Sequence, residues 1–110
     1  MLPASVRIFV CTVPQDMRRS FDGLAQATTQ LLGEDPRSGA LFVFVNKRST
    51  RAKVLWWDAN GYCLLYKRLH QAVFIVPSTY AGDSPVVRID AVALATLLAG
   101  VEKCRPRLDG

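Results

Sequence analysis

The residues best equipped for chemistry lie together between Lys47 and His70, in the stretch KRSTRAKVLWWDANGYCLLYKRLH. Six lysines and arginines stand there against one acid, Asp58. The rest of the chain carries eight basic and eight acidic side chains, so the whole net charge of +5 sits in this block. Trp56, Trp57, Tyr62 and Tyr66 are woven among the cations. Cations neutralise phosphates and flat rings offer stacking platforms, which is what a nucleic-acid surface requires. A half-buried hairpin with solvated lysines and arginines would show the same pattern. On the first reading, Lys47, Arg48 and Arg51 contact phosphate from a hairpin tip, with Lys53, Lys67 and Arg68 behind them. Trp57, Tyr62 and Tyr66 supply the flat surface. Arg18 and Arg19 join them if their helix ends beside the hairpin; otherwise they are a solvated helix face. Contacts of this kind position a protein on DNA without reading its sequence.

Catalytic chemistry has little to work with. His70 is the single histidine, so neither a multi-histidine metal site nor a Ser/His/Asp triad is indicated. The carboxylates have local structural uses: Asp16 at a helix start, Asp58 in a turn, Asp90 at a helix cap, Glu34 and Asp35 at a helix exit. Asp22 lies six positions after Asp16, on another side of the helix, so the two do not converge. Gly33, Gly39 and Gly61 fall in separate turns and form no phosphate loop. These residues predict a protein that is not an enzyme and holds no metal or cofactor.

The elements that must position the block follow from periodicity. Val6–Cys11 is a short β-branched run and reads as a strand. Thr12 and Gln15 have the spacing of a capping box, with Pro14 in the first turn. Met17, Phe21, Leu24, Thr28 and Leu31 then form one helical stripe, stopped by Gly33 and Asp35-Pro36. Gly23 inside this helix points to close packing there. Leu41–Asn46, Arg51–Trp57 and Tyr62–Leu69 are strand-like and joined by two four-residue segments, the second carrying the turn signal Asn60-Gly61. Ala72–Val76 and Val86–Ile89 are further short strands, with a loop from Ser78 to Pro85. Asp90 caps a second helix with Leu94, Leu97, Leu98 and Val101 on one face.

Those joints set Arg51 opposite Asn46 and Trp57 opposite Tyr62. Side chains alternate faces along a strand. One face then collects Leu41, Val43, Val45, Val54, Trp56, Cys63 and Leu65, a core face. The other collects Phe42, Phe44, Lys53, Leu55, Trp57, Tyr62, Leu64, Tyr66 and Arg68. This aromatic face is either covered by a helix or left for a partner.

At 110 residues the chain makes one domain, 1–110, with a tail that frays from about Cys104. Half of its residues are apolar and 21% are charged, which excludes disorder. A pI near 9.5 favours an acidic partner. Cys11, Cys63 and Cys104 are odd in number and form no C-x-x-C, so reduced thiols in a cytoplasmic protein are expected. The start, MLPASVRIFVCT, does not resemble a signal peptide, and no apolar run could span a bilayer.

Laid end to end, the motifs resemble those of a known family. Gln15 to Ala25 is similar to its signature TDMRKGFDGL, and Ser38 to Arg48 to SGHLFVFRNRR. Lys53 to Leu69 is similar to IKVLWWDGxGxxLxYKRLE, Phe74 to Pro77 to FxWP, and Leu94 to Val101 to LAMLLEGI. These belong to the TnpB accessory proteins, products of the second open reading frame of bacterial insertion-sequence-sixty-six-type elements, distinct from the far larger RNA-guided nucleases that share the name. The chain departs from the pattern at His70 for Glu, Ala72 for Gly and Val76 for Trp. The resemblance implies an accessory role in transposition beside a separate DDE transposase and a further small protein, with DNA binding as the usual inference.

The expected fold is α+β: an antiparallel meander of about four to six strands with two packed helices. The expected function is that of a non-enzymatic DNA-binding accessory factor of transposition. The alternative is an adaptor whose Phe42, Phe44, Leu55 and Trp57 face docks on the transposase, on another accessory protein or on a second copy of the chain.

Overall fold

The computed structural model describes residues 5–77 and 82–103. The tail from Cys104 and part of the Ser78–Pro85 loop lie outside the described residues. The elements are β1 (Ile8–Cys11), α1 (Phe21–Ala27, continuing as a π-helical segment Thr28–Leu32), β2 (Leu41–Val45), β3 (Arg51–Asp58), β4 (Gly61–Arg68), β5 (Ala72–Val73), β6 (Val86–Ile89), α2 (Ala91–Ala99) and β7 (Val101–Glu102). Five strands form one sheet in the order β4-β3-β2-β1-β6, and β5 pairs with β7 in a small second sheet. The fold is α+β, as expected.

The meander holds for β2–β3–β4 and fails for β1. That strand runs parallel to β2, with Ile8 beside Leu41, and antiparallel to β6. The sheet is therefore mixed. All four residues of β1 are buried, which is the mark of a central strand packed on both faces. A parallel neighbour needs a long crossover, and the segment carrying α1 provides it.

Each face of the sheet has its own helix. Leu94 and Leu97 of α2, with Phe74, pack on Ile8, Val10, Leu41, Val43, Val45, Ala52 and Val54. Leu24, Ala27 and Leu32 of the first helix pack on Phe9, Cys11, Phe42, Phe44 and Leu55. Phe42, Phe44 and Leu55 have no exposed surface, so the inner part of the aromatic face is covered from within the chain, while Tyr66 and Arg68 on the edge strand stay exposed. Leu65, assigned to the core by alternation, is 41% exposed, because β4 is an edge strand and α2 sits over the sheet centre.

The first helix begins later than its apparent capping box. Residues 12–20 are not helical; they are tied to strand ends instead. The Thr12 N–H donates to Pro85 O, its hydroxyl to Ser84 O, and the Gln15 N–H to Val45 O. The helix starts after Ser20, whose side chain makes no cap bond. Its second half closes i→i+5 rather than i→i+4 hydrogen bonds, which brings Leu32 rather than Leu31 fully into the core; Phe21, at the helix start, is 44% exposed. Arg19 carbons lie 3.2 Å from where a Gly23 Cβ would stand, which is the close packing that glycine implied. Asp90 caps α2 as expected, accepting from Ala93 N–H at 2.7 Å. Val101, read as part of α2, instead pairs with Val73, because Gly100 turns the chain out of the helix.

Candidate nucleic-acid interface

The expected hairpin registers are present: Val45 pairs with Ala52 and Trp57 with Tyr62. The turn between β2 and β3 is held by Asn46, whose Oδ1 accepts from the Thr50 and Arg51 N–H groups at 2.9 and 3.0 Å. Ser49 adopts φ 58° to close it. This turn carries Lys47 and Arg48, both exposed. It faces the 12–20 segment across a groove of about 540 Å³ lined by Arg18, Lys47, Arg48, Arg51 and Tyr66, with Gln15, Asp16, Met17, Asn46 and Thr50.

The charges are unevenly spent. Arg18 binds Asp16 in a fork, with Nη2 2.6 Å and Nε 2.9 Å from Oδ2, and its N–H also reaches Oδ1. These bonds hold the Asp16 carboxyl down to about 2, so it is ionised at neutral pH. Arg51 stands directly opposite Arg68 on the same face of the β3–β4 ladder. Like charges so placed repel. Arg51 donates to the Tyr66 hydroxyl at 3.0 Å, and the three side chains line a second, smaller hollow. Among the described residues the one ion pair is Arg18–Asp16, so Lys47, Arg48, Arg51 and Arg68 have no acidic partner there.

Other predicted site residues sit elsewhere. Lys53 is 6% exposed, and its ammonium donates to Met17 O and Arg19 O, both at 2.7 Å, with the Tyr66 ring 4.8 Å away. Lys67 donates to Leu98 O at 2.7 Å and so caps the end of α2. Arg19 reaches Gln15 Oε1 at 3.4 Å. Trp57 and Tyr62 meet edge to face at the far end of the hairpin, about 20 Å along the strand from Arg51. The Trp57 ring is already capped by the Arg37 guanidinium at 4.7 Å. The cations thus gather at one end of the sheet around Tyr66, and the other two aromatics are separated from them. Asn46 and Asp16, which shape the groove, carry in the sequence only the marks of a strand end and a helix start. Nothing in the sequence marks Arg37 as the partner of Trp57.

Comparison with known proteins gives the same family that the motifs suggest. The model of the IS66 Orf2-like proteins matches residues 6–107. The chain belongs to that family. It is an accessory protein of an insertion sequence. It is 36% identical over 109 residues to the uncharacterized protein y4hO of Sinorhizobium fredii (strain NBRC 101917 / NGR234), covering 97% of this chain and 92% of that one. It is 34% identical over 100 residues to the uncharacterized protein y4jC of the same strain, covering 91% and 83%. No solved structure matches. Among the described residues no cluster of His, Cys, Asp and Glu could hold a metal ion, Cys11 and Cys63 are free, and no helix is long and apolar enough to cross a membrane. Burial pushes the Cys11 thiol above its ordinary range. His70 is exposed.

Proposed function

We propose that this family member is a non-enzymatic factor that grips DNA through its phosphates at the groove end of the sheet. The observation that carries this reading is the pair Arg51 and Arg68, set opposite each other, with Arg51 sharing the groove with Lys47 and Arg48; among the described residues none of the four has an acidic partner, and Asp16, the carboxylate on the groove wall, is taken by Arg18. An anion in the groove would relieve that repulsion. A phosphate backbone offers anions at the spacing of a strand of DNA, and Tyr66 offers a ring against which a sugar or base can lie. The contacts are to phosphate, so they hold the protein on DNA without selecting a sequence.

Lys53 and Lys67 are left out of this contact set, being occupied within the fold. Arg18 contributes little while Asp16 holds it, and Arg19, which reaches Gln15, does not line the groove. Four cations remain, and log K should fall with log salt at a slope near −3.6. Titration of duplex and single-stranded DNA at several salt concentrations measures that slope. Changing Lys47 and Arg48 both to Glu should leave the thermal melt unchanged, since both are exposed turn residues. It should weaken binding about tenfold or more at low salt and flatten the slope. A folded double variant with unaltered affinity would exclude the groove as the binding site.

The adaptor reading loses the surface first considered for it, because α1 covers Phe42, Phe44 and Leu55. Docking on the transposase would have to use another part of the molecule.

A further inference from the structure

β4 is an outer strand of the main sheet, and among the described residues no strand pairs with its free side. Asp58 pairs with Gly61 across a two-residue hairpin loop, which makes them a hydrogen-bonded pair. The alternation of an antiparallel ladder then turns the N–H and C=O groups of Tyr62, Leu64, Tyr66 and Arg68 outward. The register runs unbroken from Arg51–Arg68 to Asp58–Gly61, without a bulge, and the strand contains no proline. The usual devices that keep an edge from pairing are therefore missing along most of its length. Two of its apolar side chains, Leu65 at 41% and Tyr66 at 49%, are among the exposed large hydrophobic residues. The opposite edge, β6, is half as long and carries the exposed Arg88.

We propose that this edge pairs with β4 of a second copy of the chain, antiparallel about a two-fold axis at Leu65, joining the two five-stranded sheets into one. The strand is self-complementary in that arrangement. The register that uses all four outward residues sets Tyr62 against Arg68, Leu64 against Tyr66, Cys63 against Lys67 and Leu65 against itself. The cationic end of one strand meets the uncharged end of the other. The two Arg68 side chains then stand about 20 Å apart along the strands, well beyond the ~8 Å screening length of physiological salt. A parallel pairing would instead place the cations of both copies side by side. Leu65, stranded at the sheet edge in one copy, is covered by its counterpart in two. The inference stands on strand geometry and does not depend on DNA binding.

Sedimentation equilibrium of the full chain should give twice the 12.2 kDa of one copy. Leu65→Lys is tolerated within one copy, because the position is exposed, but sets two ammonium groups face to face at the axis. The mass should halve with the circular dichroism melt preserved. Leu65→Cys, in a Cys63→Ser background, tests the register separately. Directly opposed residues that are not hydrogen-bonded lie about 4.5 Å apart at Cα, within disulfide reach. Mild oxidation should therefore join the two introduced thiols, as mapped by peptide mass. A strict monomer at every concentration would overturn the proposal. So would a dimer in which those thiols fail to join, whatever Leu65→Lys does.

Discussion

Lys53 and Lys47 are chemically alike and six residues apart, yet they do opposite things. Lys47 is a turn cation in water; Lys53 is almost fully buried and tied to two main-chain carbonyls of the 12–20 segment. Replacing Lys53 with Met keeps the apolar stem and removes both bonds to a charged donor. Stability should fall by about 2 kcal/mol or more, read as a lower urea midpoint, whereas Lys47→Glu should not move it. Charge counting cannot separate the two. Alternation put Lys53 on the correct face, but its burial depends on a loop that was read as helix. Asp16 is the counterpart on the other wall of the groove. Its folded-state value of about 2 lies below the ordinary carboxylate value of about 3.9. Any stability the Arg18 pair adds is therefore present above about pH 4 and is lost as the pH falls through about 2. At neutral pH Asp16→Asn should free Arg18 without unfolding anything. If the groove binds DNA, affinity should rise and the salt slope steepen by about 0.9.

At the scale of elements, the hairpins were legible and the first helix was not. Loop length and alternation gave the β2–β3 and β3–β4 registers because hairpin partners are neighbours in sequence. The turn itself is tighter than expected: Ala59 and Asn60, at φ 44° and 74°, are its central residues, and Gly61 already belongs to β4. Asn accepts that conformation readily, whereas alanine is strained in it. The family signature WWDGxG has glycine where this chain has Ala59. Ala59→Gly should stabilise the protein by about 0.5–1 kcal/mol. Gly100 is the reverse case. Its φ of 76° and ψ of 174° suit glycine almost exclusively, and a Cβ there would lie 2.5 Å from Leu69 Cδ1 and 3.3 Å from Val73 O. Gly100→Ala should cost more than Ala59→Gly returns, and paired thermal melts would show both signs. The start of α1 was missed because Thr12 and Gln15 find partners on Ser84 and Val45, far away in sequence. A capping box read locally has no way to register such competitors.

Across the whole molecule, the candidate site is an accident of neither strand alone. The groove exists because the crossover leaving β1 passes beside the β2–β3 turn, and that adjacency is a tertiary fact invisible to periodicity. What could be read was the concentration of charge; what could not was which cations would be consumed in holding the layers together. The placement of β1 carries one more consequence, which concerns time rather than shape. β1 lies between β2 and β6, and β6 comes near the end of the chain. During synthesis the hairpins β2–β3–β4 can close among themselves, while Ile8-Phe9-Val10-Cys11, made before them, must wait for Val86–Ile89 before both of its edges are satisfied. Long-range and parallel pairings form slowly. In refolding followed by pulsed hydrogen exchange, the amides that β1 shares with β6 should gain protection after those between β3 and β4. Until then a wholly apolar strand is an open template, and the period between its emergence and the arrival of its last partner is when the chain is most exposed to aggregation.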